Sequence, residues 1–298
     1  MATSYDVAIV GRGPAGLSAA IYTARAGFST VVFGTEPKWL EHRIDNYFGF
    51  AEGISGRELF EAGTQQARRF GAEVRDEKVL EIRWAERFTL LIPASEVEAT
   101  AVLITTGVSR RKPTLPGLAE LEGKGVSYCV SCDGFFYKGK PVAVLGEGDH
   151  AGAKALELLN YTRQVTLCTD ARPKAFSGRV AARLAEEGIA IREEKVALVA
   201  GGAVVTGLEF EAGPAVGVEG VFVAIGEASS TDFARTLGLE MAGNYIVADA
   251  RQQTNIPGIW AAGDCTGRNL QIATAVGDGA VAASGIIGYL RERGRSKA

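Results

Sequence analysis

Residues 127–136 read SYCVSCDGFF, with Cys129 and Cys132 separated by two residues and Asp133 directly after. Two thiols at this spacing make either a redox disulfide or half of a metal site. A structural zinc site takes four ligands. The rest of the chain offers only Cys168, Cys265, His42 and His150, each isolated in sequence. The pair therefore reads as a dithiol that exchanges with a disulfide, a reaction needing a thiolate attacker and a good leaving thiol. Cys168 ends an apolar strand and reads as a small buried hydrophobe, and Cys265 as a bystander. His42 and His150 read as polar loop or turn residues.

Two glycine turns supply the second kind of chemistry. YDVAIV (5–10), GRGPAG (11–16), LSAAIYTARAG (17–27) and STVVF (29–33) run strand, turn, helix, strand. The spacing is G-x-G-x-x-G. Gly11 allows the tight turn, Gly13 lets backbone approach a pyrophosphate, and Gly16 lets helix pack on strand. The helix N-terminus, with Pro14 and Ala15, offers free N–H groups to phosphates. A weaker copy follows: PVAVL (141–145), GEGDHA (146–151), a helix over AKALELLNYT and the strand QVTLC (164–168).

Elements must hold these pieces. A helix is expected over 56–71, strands to about 92, and an apolar strand AVLITTG (101–107) that stops at Thr106 and Gly107. RRKPTLPG (110–117) reads as a linker. GRVAARLAEEG (178–188) is an amphipathic helix, 189–225 short strands. NYIVAD (244–249) and GIWAAGD (258–264) are strands before a long small-residue helix over 271–290. The fold class is α/β: two Rossmann-like three-layer domains, the second inserted into the first. The first domain takes 1–112 and 245–298, the insert 113–244.

The 298 residues suffice for two domains, and four Cys in such a length are no secreted disulfide framework. Net charge of −3 on a mixed background argues against nucleic acid or an anionic membrane as partner. No apolar run reads as the ~20 residues of a membrane helix. The N-terminus lacks signal-peptide character, so a cytoplasmic location is expected.

Taken together, GRGPAGLSAAIYTARAG, the strand ending TTG, CVSCD, a second glycine turn, AAGD and QIATAVGDGAVAA resemble the low-molecular-weight thioredoxin reductases over nearly the whole chain, in order. That resemblance implies a two-domain FAD enzyme, a homodimer, that reduces thioredoxin or a thioredoxin-like protein. It implies that Cys132 faces the flavin, that Cys129 attacks the partner disulfide, and that Asp133 is general acid–base for the thiols. The bland alternative for Asp133 is a turn residue before Gly134. It further implies that Asp264, after Gly263, bonds the ribityl chain. Gln271 and Ile272 then present backbone N–H groups to the flavin's pyrimidine end, Asn46 touches its ring system, and Thr106 and Gly107 lie near the pyrophosphate. Glu36 is the candidate for the FAD ribose.

The departures bear on the electron donor. NADPH-using members carry paired acids after the second glycine turn and a His-Arg-Arg run after the next strand. Here Gly146, Gly148 and Ala151 keep the turn, but Ala153 and Lys154 replace the acids, and TDARPK follows the strand. Asp170 has the wrong charge for a 2′-phosphate, and only Arg172 and Lys174 could substitute. Leu270 stands where relatives have Arg. VVFG, DNYFGF and AAGDCTG are similar to the ferredoxin-dependent flavin thioredoxin reductases, which lack a working pyridine-nucleotide site. Ferredoxin is thus the expected donor, with Arg110–Lys112 and Arg172–Lys174 as basic stretches suited to an acidic carrier. The alternatives are NADH or NADPH as donor, a redox-sensing flavoprotein without thioredoxin turnover, and an NADH oxidase or peroxide-system reductase.

Overall fold

The computed structural model describes residues 3–37, 39–93, 95–107, 114–128, 130–225 and 230–295. The chain divides into two compact units, Met1–Ser109 with Ser229–Ala298, and Arg110–Ala228.

The first unit starts with β1 (Thr3–Val10), which is buried without a break from Val7 onward. That is the pattern of a central parallel strand covered on both faces. α1 (Pro14–Arg25) follows, then β2 (Thr30–Phe33) and α2 (Gly56–Arg69). Ser55 and Glu58 start α2 with a capping box, each side chain taking the other's backbone N–H, at 3.2 and 3.1 Å. Next come β3 (Glu73–Arg75), β4 (Glu81–Trp84), β5 (Phe88–Leu91) and β6 (Glu96–Ile104). The sheet order is β3-β2-β1-β6-β5-β4, parallel from β3 to β6 and antiparallel beyond.

The inserted unit contains β7 (Val126–Ser127), α3 (Val130–Asp133), β8 (Val142–Leu145), α4 (Asp149–Leu158), β9 (Val165–Cys168), α5 (Gly178–Glu186) and β10 (Ala190–Arg192). A meander β11 (Val196–Gly201), β12 (Val205–Phe210), β13 (Val216–Gly217) leads to β14 (Gly220–Val223). The parallel order is β10-β9-β8-β14-β7. Strand period decides what each face buries. Ala143 and Leu145 of β8 join the cluster under the meander, while Val142 and Val144 join the one under α4 and α5. Fully buried Val and Leu side chains of this kind contribute about 1.5–3 kcal/mol each.

The chain returns with α6 (Ser230–Leu237), β15 (Ile259–Ala261) and α7 (Ile272–Arg295). β15 pairs in parallel with Val102–Ile104 of β6, on the edge whose other half, Glu96–Ala99, pairs antiparallel with β5. Two expectations need correcting. The return falls at 229, not 245, because α6 packs on β4 and Ser230 Oγ donates to the Gly107 carbonyl at 3.2 Å. And α7 is, by length and composition, apolar enough to cross a membrane. Its Ala282, Ala283, Ile286 and Leu290 instead lie in the core that also holds Leu17, Ala19 and Ala20 of α1. Small residues make that crossing close: a Cβ on Gly279 would sit 2.1 Å from the Ala15 carbonyl oxygen.

Candidate active site

In the first unit the glycine turn is held by contacts that exclude a side chain. Gly11 has φ 121°, donates to the Phe33 carbonyl at 2.8 Å, and a Cβ there would lie 2.2 Å from the Thr105 carbonyl oxygen. A Cβ on Gly16 would lie 2.0 Å from the Gly11 carbonyl oxygen. Thr105, not anticipated, ties the turn by donating its hydroxyl to the Val10 and Gly11 carbonyls at 3.1 and 2.9 Å. By contrast a Cβ on Gly13 would meet nothing within 4 Å. Gly13 is the N-cap of α1 with no side-chain cap, and Pro14 is in the first turn, so the amides at this end stay open for an anion. Thr106, two residues past β6, has a buried hydroxyl with no hydrogen-bond partner among the described residues. An open cradle, an uncapped helix and an orphan hydroxyl fit a bound dinucleotide such as FAD.

The residues expected at the flavin end come mostly from the return. Gly263 (φ 79°) caps the short turn Asp264–Thr266, and Thr266 donates both its amide and its hydroxyl to the Gly263 carbonyl, at 2.9 and 2.8 Å. A Cβ on Gly263 would lie 3.0 Å from Ala15 Cβ, so this turn abuts the start of α1. Asn46 Nδ2 donates to Gln271 Oε1 at 3.0 Å, joining two expected flavin contacts, and Ile272 opens α7. Behind the turn lies Asp278, which sequence reasoning missed. Gln252 Nε2 donates to it at 3.1 Å. Burial pushes the Asp278 carboxyl pKa up, opposed by the Arg268 charge and the Gly263 amide. The G-D-G step within α7 was the only signal in sequence. Glu36 stands apart: it is exposed and faces Arg57 at 3.8 Å, which binds Glu41 at 2.6 Å.

In the inserted unit Cys129, like Arg110–Lys112, lies outside the described residues, as does the Cys132 side chain, although Cys132 belongs to α3. Asp133 ends α3, and its Oδ2 accepts the buried Ser127 hydroxyl at 2.6 Å. A carboxylate anchored so on β7 is fixed beside the C-x-x-C segment. Burial first, then the nearby Asp133, raises the Tyr137 hydroxyl pKa. Lys154 of α4 reaches the carbonyl of Tyr128, next to Cys129. Cys168 and Cys265 are free and buried, and burial pushes both thiols up to about 12, so neither offers a thiolate at neutral pH.

The second glycine turn folds but is covered. A Cβ on Gly146 would lie 2.2 Å from the Ala224 carbonyl oxygen, so the strand-to-helix approach is intact. Gly148 is the N-cap of α4, which begins at Asp149 rather than Ala153. His150 is consequently a buried helix residue, not a loop one. The segment after β9 runs across the turn: Ala175 N–H donates to the Glu147 carbonyl at 2.8 Å, Gly148 and Ala175 form a parallel bridge, and Ser177 N–H donates to Asp149 Oδ1 at 2.6 Å. The cations expected to substitute at a 2′-phosphate are engaged internally. Arg172 pairs with Asp170 at 3.2 Å and Lys174 with Glu193 at 2.9 Å. Asp170, only 5% exposed, also takes Lys195 and the Val196 amide, at 3.0 and 2.9 Å.

A model of the family described as pyridine nucleotide-disulphide oxidoreductase matches residues 5–279. The thioredoxin reductase of Bacillus subtilis (strain 168) is 36% identical, over 97% of this chain and 95% of its own length. The crystal structure of the atypical thioredoxin reductase TRi from Desulfovibrio vulgaris Hildenborough is 51% identical, with 96% of this chain and 98% of that one covered and a TM-score of 0.94. A ferredoxin-flavin thioredoxin reductase from Clostridium acetobutylicum is 31% identical, with 98% of this chain and 100% of that one covered and a TM-score of 0.71.

Proposed function

Because the chain belongs to the pyridine nucleotide-disulphide oxidoreductase family and is a flavin-dependent thioredoxin reductase, we propose that its electrons come from a one-electron carrier of the ferredoxin type and not from NADH or NADPH. The observation that carries this is the segment bonded across the second glycine turn through Ala175 and Ser177. A pyrophosphate would need the open amides at the start of α4. There the Asp149 carboxylate adds a like charge, and the two cations expected to offset it, Arg172 and Lys174, are drawn to Asp170 and Glu193. The ferredoxin-flavin relative supports the same reading.

The balance is two electrons and two protons taken up for each disulfide opened. Bound FAD supplies the two-electron store next to a one-electron donor. The glycine turn and the uncapped start of α1 would hold its pyrophosphate, and the Gly263–Asp264 turn and the first amides of α7 would hold the flavin end. The Cys129 thiolate bonds to one sulfur of the thioredoxin disulfide, releasing the other as a thiolate. Cys132 then displaces the bound sulfur. That step leaves the Cys129–Cys132 disulfide and reduced thioredoxin. Asp133, steadied by Ser127, passes protons at these sulfurs.

An anaerobic titration of the oxidised protein tests the donor. Photoreduced ferredoxin is expected to bleach the flavin band fully, while stoichiometric NADH and NADPH leave it unchanged over minutes. Bleaching by either nucleotide within seconds would make the segment around Ala175 a movable cover and the chain a pyridine-nucleotide enzyme.

A further inference from the structure

The first glycine turn carries an arginine whose position the reaction has not yet used. Arg12 sits between Gly11 and Gly13, yet its side chain is only 8% exposed. Its guanidinium lies over the Phe60 ring of α2, 4.8 Å from the centroid. Its ion pair with Asp76, a residue 68% exposed, is long at 3.7 Å. Nε is buried and has no hydrogen-bond partner among the described residues. A buried guanidinium with an unused donor is costly unless an acceptor arrives, and solvent screening leaves a distant exposed carboxylate a weak one.

The location says what that acceptor is. Gly11 follows β1, Gly34 follows β2 and Asp76 follows β3, so Arg12 stands at the carboxyl ends of three parallel strands, where such sheets bind nucleotides. In most sites of this design an acid at the end of the second strand takes the ribose hydroxyls. Here that position is Gly34, with φ 152°, and a Cβ on it would lie 2.7 Å from the Arg12 amide nitrogen. No acidic side chain fits. Glu36, two residues on, is turned to Arg57. The nucleotide end of this crevice therefore presents a cation where a carboxylate is usual.

We propose that Arg12 is a binding residue for FAD, its guanidinium shelved on Phe60 and donating to an anionic oxygen of the ADP half. Arginine suits this role because its planar fork can stack on the ring and still donate from its edge.

The test uses the intact holoenzyme, diluted to nanomolar concentration so that released flavin is read by its fluorescence. It compares wild type with Arg12→Met, Arg12→Lys and Asp76→Asn. Arg12→Met is expected to raise the FAD dissociation constant about 10- to 100-fold, the size of one charged hydrogen bond. Its salt dependence should flatten. ADP, added as competitor, should displace flavin from Arg12→Met at concentrations raised by the same factor. Arg12→Lys should recover part of each effect, and Asp76→Asn should leave affinity within about twofold or tighten it. If Arg12→Met fails to fold, ADP competition in Arg12→Lys decides: weakening supports the proposal and wild-type competition overturns it. A dissociation constant within twofold of wild type in Arg12→Met, or an equal loss in Asp76→Asn, would show that Arg12 only braces the fold.

Discussion

Replacing Cys132 by Ser is expected to abolish thioredoxin reduction, by roughly 10⁴-fold or more, while the flavin stays bound. The size follows from the chemistry. A hydroxyl cannot form the disulfide that closes the cycle, and the two sulfurs act as a unit, so losing one costs about as much as losing both. Cys132 belongs to α3, in the inserted unit, whereas the contacts proposed for the flavin lie on α1, β6 and α7 of the other. Flavin content should therefore match wild type. Cys129→Ser should be as inactive, with a different residue of chemistry: Cys132 retains its thiol and stays reactive to alkylation. Neither buried cysteine can substitute, because a thiol pushed up to about 12 holds its proton at neutral pH. Turnover within tenfold of wild type in the Cys132→Ser chain would sink the dithiol mechanism. The measurement is anaerobic thioredoxin reduction with photoreduced ferredoxin as donor.

The second large effect is on the fold. In Gly16→Ala the new Cβ would press on the Gly11 carbonyl oxygen at 2.0 Å and on Thr105 Oγ1 at 2.8 Å. Both are fixed, one as backbone and the other by its bonds to the Val10 and Gly11 carbonyls. Overpacking a tight site costs about 3 kcal/mol. Alanine's better helix propensity returns about 1 kcal/mol. Steric cost wins, and the net of about 2 kcal/mol corresponds to a Tm lower by roughly 4–8 °C. Bound FAD should fall with it. Gly13→Ala separates the two causes, since its Cβ meets no protein atom within 4 Å. That variant should keep the unfolding midpoint of flavin-free wild type and lose flavin affinity, because the methyl occupies the phosphate cradle. Equal thermal losses in the two variants would refute this division.

The sequence was informative where a contact is local. The three glycines of the first turn could be read from spacing: Gly11 and Gly16 answer to clashes with Thr105 and with the Gly11 carbonyl, while Gly13 faces open space. The long small-residue helix was visible too. Its role was not, because the pairing with α1 joins segments far apart in the chain. The same limit hid the split edge of β6 and the Gln252–Asp278 pair. It also misplaced α6, whose assignment depends on β4 and Gly107. Asp170 is instructive: its charge alone argued against a phosphate, but only the fold shows it gathering Arg172, Lys195 and the Val196 amide at once. Arg12 was passed over because inside a glycine motif it reads as a variable position.

The crossing of α1 and α7 also bears on how the protein is made. Ser18 Oγ donates to the Val276 carbonyl at 2.8 Å across 258 positions of sequence. The inserted unit spans one continuous stretch, Arg110–Ala228. Emerging from the ribosome, the chain completes that stretch while β1 and α1 still lack β15 and α7. The inserted unit is thus complete in synthesis before the strand and helix that close the first unit have emerged.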